Sequence, residues 1–429
     1  MSLPPLSRAL AKVQYRVLPL LIAAYFTAYL DRVNISFAAL QMNADLAIEP
    51  EAFGFVAGVF FFGYCLFEVP SNIVMSRVGA RIWLARIMIT WGLLSAATAF
   101  VTGVNGLAAL RFILGAAEAG FFPGVIYYLT NWIPAEERAR TVAILMMAVP
   151  ISTVIGSPLS GWILDAWNGV LGFRGWQWLF ILEALPAIAL GLICFFVLAD
   201  TPAQAKWLSA DERDALLARL AADRKVNVPS HSHSIRGALT DRRVLVLALS
   251  CFGTGLGLYG LGFWMPQIVK SMSLTNTETG LVVAVPYAIA AVFMWYWGRR
   301  SDRTGERIWH IAIPGFVATA AFVMCAFVSS PIVLLVLFTI ATACTLSIFP
   351  VFWAVPAAIL SGPAAAAGIA LINSLGNSGG FFGPYLVGFA KQHGASSQSA
   401  VALLAIFMLA GAVLVLSMNF GIKNTAKKS

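Results

Sequence analysis

Two acid–base pairs lie inside stretches of the sequence that are otherwise apolar. Asp31 and Arg32 are adjacent in one such stretch, and Arg111 and Glu118 lie in another. A charged side chain is costly at the depth of a bilayer, so it is retained mainly where it faces a water-filled cavity, pairs with another charge or binds a ligand. A carboxyl group can take up a proton and a guanidinium group can bind an anion. The pairs therefore predict a site where a proton and an anion are both held.

The apolar stretches predict the elements that position these charges. Hydrophobic residues make up 60% of the 429 and charged residues only 11%, whereas about a quarter of a soluble domain is charged. Apolar runs of about 20 residues, the length that spans a bilayer as a helix, recur along the chain. They predict an all-α polytopic membrane protein with twelve transmembrane helices, at residues 17–40, 53–76, 82–103, 107–129, 141–164, 177–199, 244–269, 279–298, 308–329, 331–353, 364–390 and 399–421.

The distribution of Lys and Arg predicts the orientation of the chain. If the N-terminus is inside, most of the 28 Lys and Arg residues fall in inner segments, and the outer loops hold Arg174, Lys270 and Lys391. Positive charge concentrates in cytoplasmic loops, so we expect both termini to be cytoplasmic. The net charge of +9 then reflects topology, and we expect no binding of nucleic acid.

A polar stretch divides the predicted helices six and six. We expect an N-terminal six-helix bundle at residues 1–199, a cytoplasmic central loop at 200–243 and a C-terminal six-helix bundle at 244–429. In the loop, Ser209 and Glu212 have the spacing of a capping box, followed by an apolar stripe among basic residues. This pattern predicts a short amphipathic helix at the inner membrane surface.

The loops after the second and eighth predicted helices share the spacing Arg-x-Gly-x-Arg. Glycine allows a tight turn, and the flanking arginines can contact helix C-termini. Repetition at the equivalent place in each half predicts an internal parallel repeat, as in transporters built from two bundles. We assign gating and structural roles to Arg77, Gly79, Arg81, Gly298, Asp302, Arg303, Gly305 and Arg307.

This pattern resembles the hallmark of the major facilitator superfamily, Gly-x-x-x-Asp-Arg-x-Gly-x-Arg. The second copy is complete, whereas Asn72 and Ser76 replace Gly and Asp in the first. Within the superfamily, residues 29–34, 62–72 and 111–124 are similar to the anion:cation symporter family, in particular to its bacterial branch that takes up tartrate, sugar acids, phthalate and hydroxyphenylacetate-like acids. The resemblance implies a multi-pass protein of a bacterial inner membrane.

Residue chemistry and the resemblance agree on the roles in the N-terminal half. We expect Asp31 and Glu118 to couple protons and Arg32 to contact the substrate, with Arg111 a modulator or an outer attractor of anions. The resemblance adds Tyr29 and Tyr64 as ligand contacts. Glu68 and Glu183 are expected to be structural more than functional.

The predicted helices of the C-terminal half carry no acidic or basic residue at depth, so their candidate groups are neutral. Trp353, Asn373 and Asn377 are assigned to substrate binding, with Tyr259, Trp264 and Gln267 as further candidates. The two asparagines are four residues apart on one helical face. They could bind hydroxyl or carbonyl groups, or join helices instead.

The function expected is proton-coupled import of a small organic carboxylate anion by alternating access, in a protein that acts as a monomer in the bilayer. An exporter or an anion exchanger of the same fold is the main alternative, and a non-transporting sensor is a remote one. We expect no enzyme, cofactor or metal site. The five cysteines lack metal-type spacing, and His231 and His233 are expected to be solvated in a loop.

Overall fold

The computed structural model describes residues 4–226, 240–359 and 362–418, so the connector with His231 and His233 lies outside the described residues. The N-terminal half and the central loop contain α1 (Pro5–Arg16), α2 (Leu18–Asp45), α3 (Pro50–Val78), α4 (Ala80–Ala97), α5 (Val104–Glu118), α6 (Phe121–Thr130), α7 (Ala135–Met146), α8 (Ala148–Ala166), α9 (Gly175–Val197) and α10 (Ala210–Val226). The C-terminal half contains α11 (Arg242–Lys270), α12 (Asn276–Thr304), α13 (Ile308–Cys325), α14 (Pro331–Phe352), α15 (Ala354–Ile359), α16 (Gly362–Gln392), α17 (Ser397–Ala402) and α18 (Leu404–Leu416).

The all-α membrane fold predicted from the sequence is confirmed. Within the described residues, eleven helical stretches are long and apolar enough to cross a membrane. The predicted helix at 364–390 corresponds to α16, which has 31 residues. Its asparagines, serines and glycines interrupt the apolar residues.

Three of the predicted transmembrane helices are interrupted, and hydropathy predicted none of these interruptions. The stretch at 107–129 breaks into α5 and α6 at Gly120, whose φ of +84° lies in the left-handed region that favours glycine. A Cβ on Gly120 would also approach Ser71 Oγ to 2.6 Å. The stretch at 141–164 divides into α7 and α8 at Met147, and the stretch at 399–421 divides into α17 and α18 at Leu403.

The ends of the helices form two faces of the molecule. The basic face is the end that carries Arg77, Arg138 and Arg303, and the opposite face lies at the other ends of the same helices. At the opposite face, α8 of one half packs directly on α12 of the other. A Cβ on Gly161 would lie 2.2 Å from the carbonyl oxygen of Asn276, so the two backbones are in contact there.

The central loop packs on the N-terminal helix rather than only on a membrane surface. Leu216 and Leu220 of α10 are buried within the protein. These residues of the apolar stripe therefore pack on the protein rather than on the predicted membrane surface. Glu212 accepts from Lys12 Nζ at 2.7 Å and from the backbone N–H of Ser209 at 3.0 Å. The bond from Lys12, followed by that from Ser209, lowers the pKa of Glu212 to about 2. A charged cluster therefore joins α1 to α10.

The first of the repeated arginine loops is anchored through its backbone. Gly79 has a φ of +101°, and the backbone N–H of Arg81 donates to Asp200 Oδ1 at 2.8 Å. Arg77, in the last turn of α3, is exposed.

The second loop is anchored by an ion pair within itself. Arg307 lies 2.7 Å from Asp302, and Gly305 ends α12 with a φ of +67°. Gly298 lies inside α12 beside Pro350, and Arg303 is exposed in its last turn.

Candidate functional site

A central cavity lies between the two halves of the molecule. It encloses about 760 Å³ of empty space, including the solvent at its open side. Aromatic, amide and small apolar side chains surround a single guanidinium group in this lining. Among the lining residues are Tyr25, Tyr29, Arg32, Tyr64 and Phe122 from the N-terminal half, and Leu258, Tyr259, Trp353, Asn373 and Asn377 from the C-terminal half.

The cavity extends toward the basic face. Its lining includes Met146 and Val149 near the junction of α7 and α8, and Phe349 and Trp353 at the basic-face end of α14. The opposite face is closed by contacts between α8 and α12. Asp165 Oδ1 accepts from the Asn276 amide at 2.7 Å, beside the Gly161 contact. The molecule is therefore in a state whose central cavity is approached from the basic face.

Arg32 is the cation of the cavity wall. Its Nη2 donates to the Glu118 carboxylate, and its Nη1 lies 3.5 Å from the Tyr259 hydroxyl of the other half. The guanidinium carbon lies 5.1 Å from the centre of the Tyr29 ring and 5.2 Å from that of Tyr64. Ring faces attract a desolvated cation, so aromatic side chains and one carboxylate stabilise this buried charge.

Glu118 pairs with Arg32, and Arg111 takes no part in that ion pair. The side chain of Arg111 is fully buried, and none of its guanidinium nitrogens has a hydrogen-bond partner among the described residues. Its guanidinium carbon lies 4.9 Å from the centre of the Phe60 ring. Arg111 does not line the cavity in this state, and its role as a modulator or an outer attractor of anions stays a prediction.

Asp31 lies inside the N-terminal half and does not line the cavity. Its Oδ1 accepts from Asn34 Nδ2 at 2.9 Å and from the hydroxyl of Ser95. Glu183 is buried in the same interior, where it accepts from Ser160 Oγ at 2.6 Å. The adjacent residues Asp31 and Arg32 thus point into different surroundings, one into the bundle and one into the cavity.

The neutral candidates of the C-terminal half divide into two groups. Tyr259, Trp353, Asn373 and Asn377 line the cavity, and the Tyr259 hydroxyl lies 3.3 Å from that of Tyr29. Trp264 is buried elsewhere, where its indole N–H donates to a backbone carbonyl, and Gln267 lies outside the lining as well.

Glu68 joins the two halves beside the cavity. Asn373 Nδ2 donates to Glu68 Oε1 at 2.5 Å, and the second carboxylate oxygen of Glu68 is buried without a partner among the described residues. The sequence analysis treated Glu68 as structural, because nothing in the pattern shows that α3 meets α16. It also missed the apolar lining residues, since a single Phe122 or Met146 in an apolar helix carries no distinguishing signal.

The arrangement offers anion binding and proton exchange but little for metal chemistry. Within residues 4–226, 240–359 and 362–418, no three His, Cys, Asp or Glu side chains are grouped as metal ligands. A buried guanidinium beside a titratable carboxylate can bind an anionic ligand in place of that carboxylate. The site can therefore bind an anionic solute.

Comparisons with known proteins cover nearly the whole chain. Residues 21–384 and 247–421 match the model of the Major Facilitator Superfamily. A "Putative tartrate transporter" of Agrobacterium vitis is 48% identical over 96% of this chain and 91% of that protein. The "Putative metabolite transport protein NicT" of Pseudomonas putida is 44% identical (95% and 94% covered), and a "Quinolone resistance transporter" of Acinetobacter baumannii is 38% identical (94% and 93%).

Solved structures share the fold at low sequence identity. The xylose transporter XylE from E. coli, in a partially occluded inward open conformation, superposes with a TM-score of 0.75 at 14% identity, covering 96% of this chain and 98% of that one. A bacterial homologue of the human lysosomal transporter Spinster gives a TM-score of 0.74 at 16% identity, covering 95% and 97%. On the family match and the similarity to these relatives, the chain is a transporter rather than an enzyme, and it belongs to the major facilitator superfamily.

Proposed function

We propose that the protein imports a small organic carboxylate anion together with protons, by alternating access between its two halves. The observation that carries the proposal is the Arg32–Glu118 pair, in which a cation of the cavity wall is paired with a single carboxylate. The relative named for tartrate supports a carboxylate substrate. The protein would act as a monomer in a bacterial inner membrane.

The pair supports an exchange of partners at Arg32. A substrate carboxylate that reaches the guanidinium can accept two parallel hydrogen bonds from its planar fork. Glu118 then loses its cation, and a buried carboxylate without a partner favours its protonated form. Binding of the anion and uptake of a proton are thereby linked.

Asp31 supplies a second proton site in this proposal. It lies one residue from Arg32 in α2 but is surrounded by Ser95 and Asn34 inside the bundle. Its charge can therefore change without direct contact with the substrate. Because both carboxyls belong to the N-terminal half, that half would carry the coupling.

The energy of charge movement sets how many protons import would require. A membrane potential that is negative inside opposes anion entry by about 2.3 kcal/mol per charge per 100 mV. Proton co-transport offsets this cost, so we expect at least as many protons as substrate charges. The positive-inside rule makes the basic face cytoplasmic, together with both termini, and the described state is then inward-facing.

Recognition of the rest of the substrate would fall to the C-terminal half. Asn373, Asn377 and Trp353 line the cavity across from Arg32. Amide groups can bind hydroxyl or carbonyl groups, and an aromatic ring offers a flat apolar surface. The two halves would thus bind different ends of one molecule.

Reconstituted transport tests the proposal directly. In proteoliposomes, tartrate should accumulate when the outside is made more acidic, and a protonophore should abolish the accumulation. A panel of organic acids, screened by the thermal stabilisation of the purified protein, extends the test to other substrates. If neither tartrate nor any other carboxylate in the panel stabilises the protein, the proposed substrate class is wrong.

An exporter or exchanger remains the second candidate, since a quinolone resistance transporter is 38% identical. Such a protein would use the same buried charges. Right-side-out and inside-out vesicles with pH gradients of either sign separate the two functions. Accumulation when the vesicle exterior is acidic supports proton-coupled import, and accumulation only in inside-out vesicles with an acidic interior supports export in exchange for protons.

A further inference from the structure

We propose that Glu68 is a positioning residue that fixes the Asn373 amide, and that this amide selects organic acids that carry a hydroxyl group. The inference rests on the proposed function, because it concerns which acids the central cavity accepts. Glu68 belongs to α3 and Asn373 to α16, so the contact crosses from one half of the molecule to the other.

Glu68 itself is buried, and a second contact beside it holds the two helices together. Only 6% of the Glu68 surface is exposed, and its Oε1 accepts from Asn373 Nδ2. One turn earlier, Cys65 Sγ lies 3.5 Å from the carbonyl oxygen of Ser374, to which it donates. The two helices therefore meet at two successive positions, and only one of these contacts involves a charge.

The chemistry of the pair determines how the amide is oriented. An ionised carboxylate only accepts hydrogen bonds, and the amide of asparagine has one donating end and one accepting end. With the nitrogen of Asn373 on Glu68, its Oδ1 must point elsewhere. Asn373 lines the cavity, and its Oδ1 is neither buried nor hydrogen-bonded to any of the described residues.

The cavity therefore presents a fixed acceptor at this place. A substrate hydroxyl can donate to Asn373 Oδ1, whereas a methylene group leaves that oxygen without a donor and a second carboxylate oxygen repels it. A site built to bind a hydroxyl rejects the analogue that lacks it, because a polar group is then left unpaired. Tartrate and succinate form a suitable pair, since they share two carboxylates and differ in their hydroxyls.

The substitution Glu68→Gln tests whether Glu68 orients the Asn373 amide or only contacts it. The amide it introduces can still accept from the Asn373 nitrogen, so a structural hydrogen bond between the helices is preserved. That amide can also donate, so the Asn373 amide is free to turn over and present its nitrogen to the cavity. The double change of Glu68→Gln with Asn373→Asp restores a fixed acceptor, because a carboxylate on α16 can only accept from the amide on α3.

The test compares the affinities of the purified full-length protein for tartrate and succinate, measured by calorimetry. Wild type should prefer tartrate by about 2–10-fold, the range of one net hydrogen bond. Glu68→Gln should reduce the ratio to about one, and the double variant should restore the preference, although its added charge weakens both acids. Cys65→Ala removes the neighbouring uncharged contact and should keep the wild-type ratio.

Each other result contradicts a stated step. If Glu68→Gln keeps the wild-type ratio, or weakens both acids equally, Glu68 does not orient the amide. A double variant without preference for tartrate overturns the acceptor role of Asn373. If the proposed function itself is wrong, the result differs from all of these, because wild type then binds neither acid, or binds both regardless of Arg32.

Discussion

The two halves of the molecule differ in what they bury. Besides Glu68, which contacts α16, the N-terminal half buries five ionisable side chains at membrane depth. They are Asp31, Arg32, Arg111, Glu118 and Glu183. In the described part of the C-terminal half, residues 244–359 and 362–418, no Asp, Glu, Lys or Arg is buried. One half therefore buries acidic and basic groups, and the other presents neutral groups to the cavity.

A division of this kind can separate proton coupling from substrate recognition. Burying a charge is costly and breaking a buried pair is costlier still. Concentrating the charges in one bundle lets them compensate one another, as Arg32 and Glu118 do. Neutral residues of the other bundle can then vary with the substrate while the charged set stays intact.

The largest effect should come from the cation of the cavity wall. Arg32→Ala should abolish uptake, because a substrate carboxylate in a desolvated site then lacks its partner, a loss of about 2–5 kcal/mol. Arg32→Lys should fail nearly as badly, since a point charge cannot replace a planar fork. The measurement is the apparent affinity for the acid and for its neutral amide, whose binding should depend little on residue 32.

Arg299→Ala is a matched control, because Arg299 lies over the exposed Trp295 ring at the basic face, away from the cavity. It should transport normally. If Arg32→Ala kept a near-normal affinity for the acid, the carboxylate would be held elsewhere and the comparison of the halves would lose its main support.

The next effect concerns proton coupling. Asp31→Asn and Glu118→Gln should each abolish accumulation driven by a pH gradient, because neither variant can load and release a proton at that position. Glu118→Gln should retain exchange of external for internal substrate, which needs no net proton release. The assay is uptake into proteoliposomes with and without an imposed gradient.

Glu137→Gln, in the first turn of α7 and outside the cavity lining, serves as the control and should accumulate substrate normally. Full gradient-driven uptake by both buried variants would remove Asp31 and Glu118 as coupling sites.

A smaller effect should follow from changes in the neutral half. Asn377→Ala should weaken substrate affinity by about 2–10-fold, the range of one net hydrogen bond. The number of protons carried per substrate should not change, because Asn377 belongs to the half without buried charge. Flux and proton uptake measured together provide both quantities, and a changed stoichiometry would contradict the division between the halves.

The smallest effect concerns the charged cluster that joins α1 to α10. Since the pKa of Glu212 is lowered to about 2 from its usual 4.5, its ionised form stabilises the folded state above the unfolded pKa. That stabilisation is lost as pH falls through the folded pKa. Glu212→Gln should therefore lower Tm slightly at pH 7, and the difference from wild type should shrink below about pH 4.5.

Thermal unfolding in detergent across this pH range provides the measurement, with Glu137→Gln again as the reference. A difference that grows on acidification would show that Glu212 does not stabilise the fold as a carboxylate.

The sequence predicted the fold well because membrane helices are specified locally. A run of about 20 apolar residues must span the bilayer whichever neighbours it has. The interruption at Gly120 was missed because it depends on a left-handed backbone turn that hydropathy does not register.

The site was predictable in its residues but not in its pairings. Burial cost alone singles out Asp31, Arg32, Arg111 and Glu118, whose roles remain predictions. Which of them meet depends on how α2 and α5 pack. This packing brings together Arg32 and Glu118, which are 86 positions apart in the sequence. Sequence spacing placed Arg111 and Glu118 on one face, yet the structure directs only Glu118 to the cavity cation.

Backbone contact at the opposite face makes the balance between conformations adjustable. Gly161 touches Asn276, and a Cβ on Gly280 would lie 2.2 Å from the carbonyl oxygen of Ser157, so at each place an added methyl group forces two helices apart. Such groups raise the free energy of the state closed at that face, while the cavity residues stay unchanged. A series of Gly161→Ala, Gly161→Ser and Gly161→Val would shift the population toward the other state in steps. The glycines thus offer a means to obtain, from the same chain, material enriched in the conformation that opens at the opposite face.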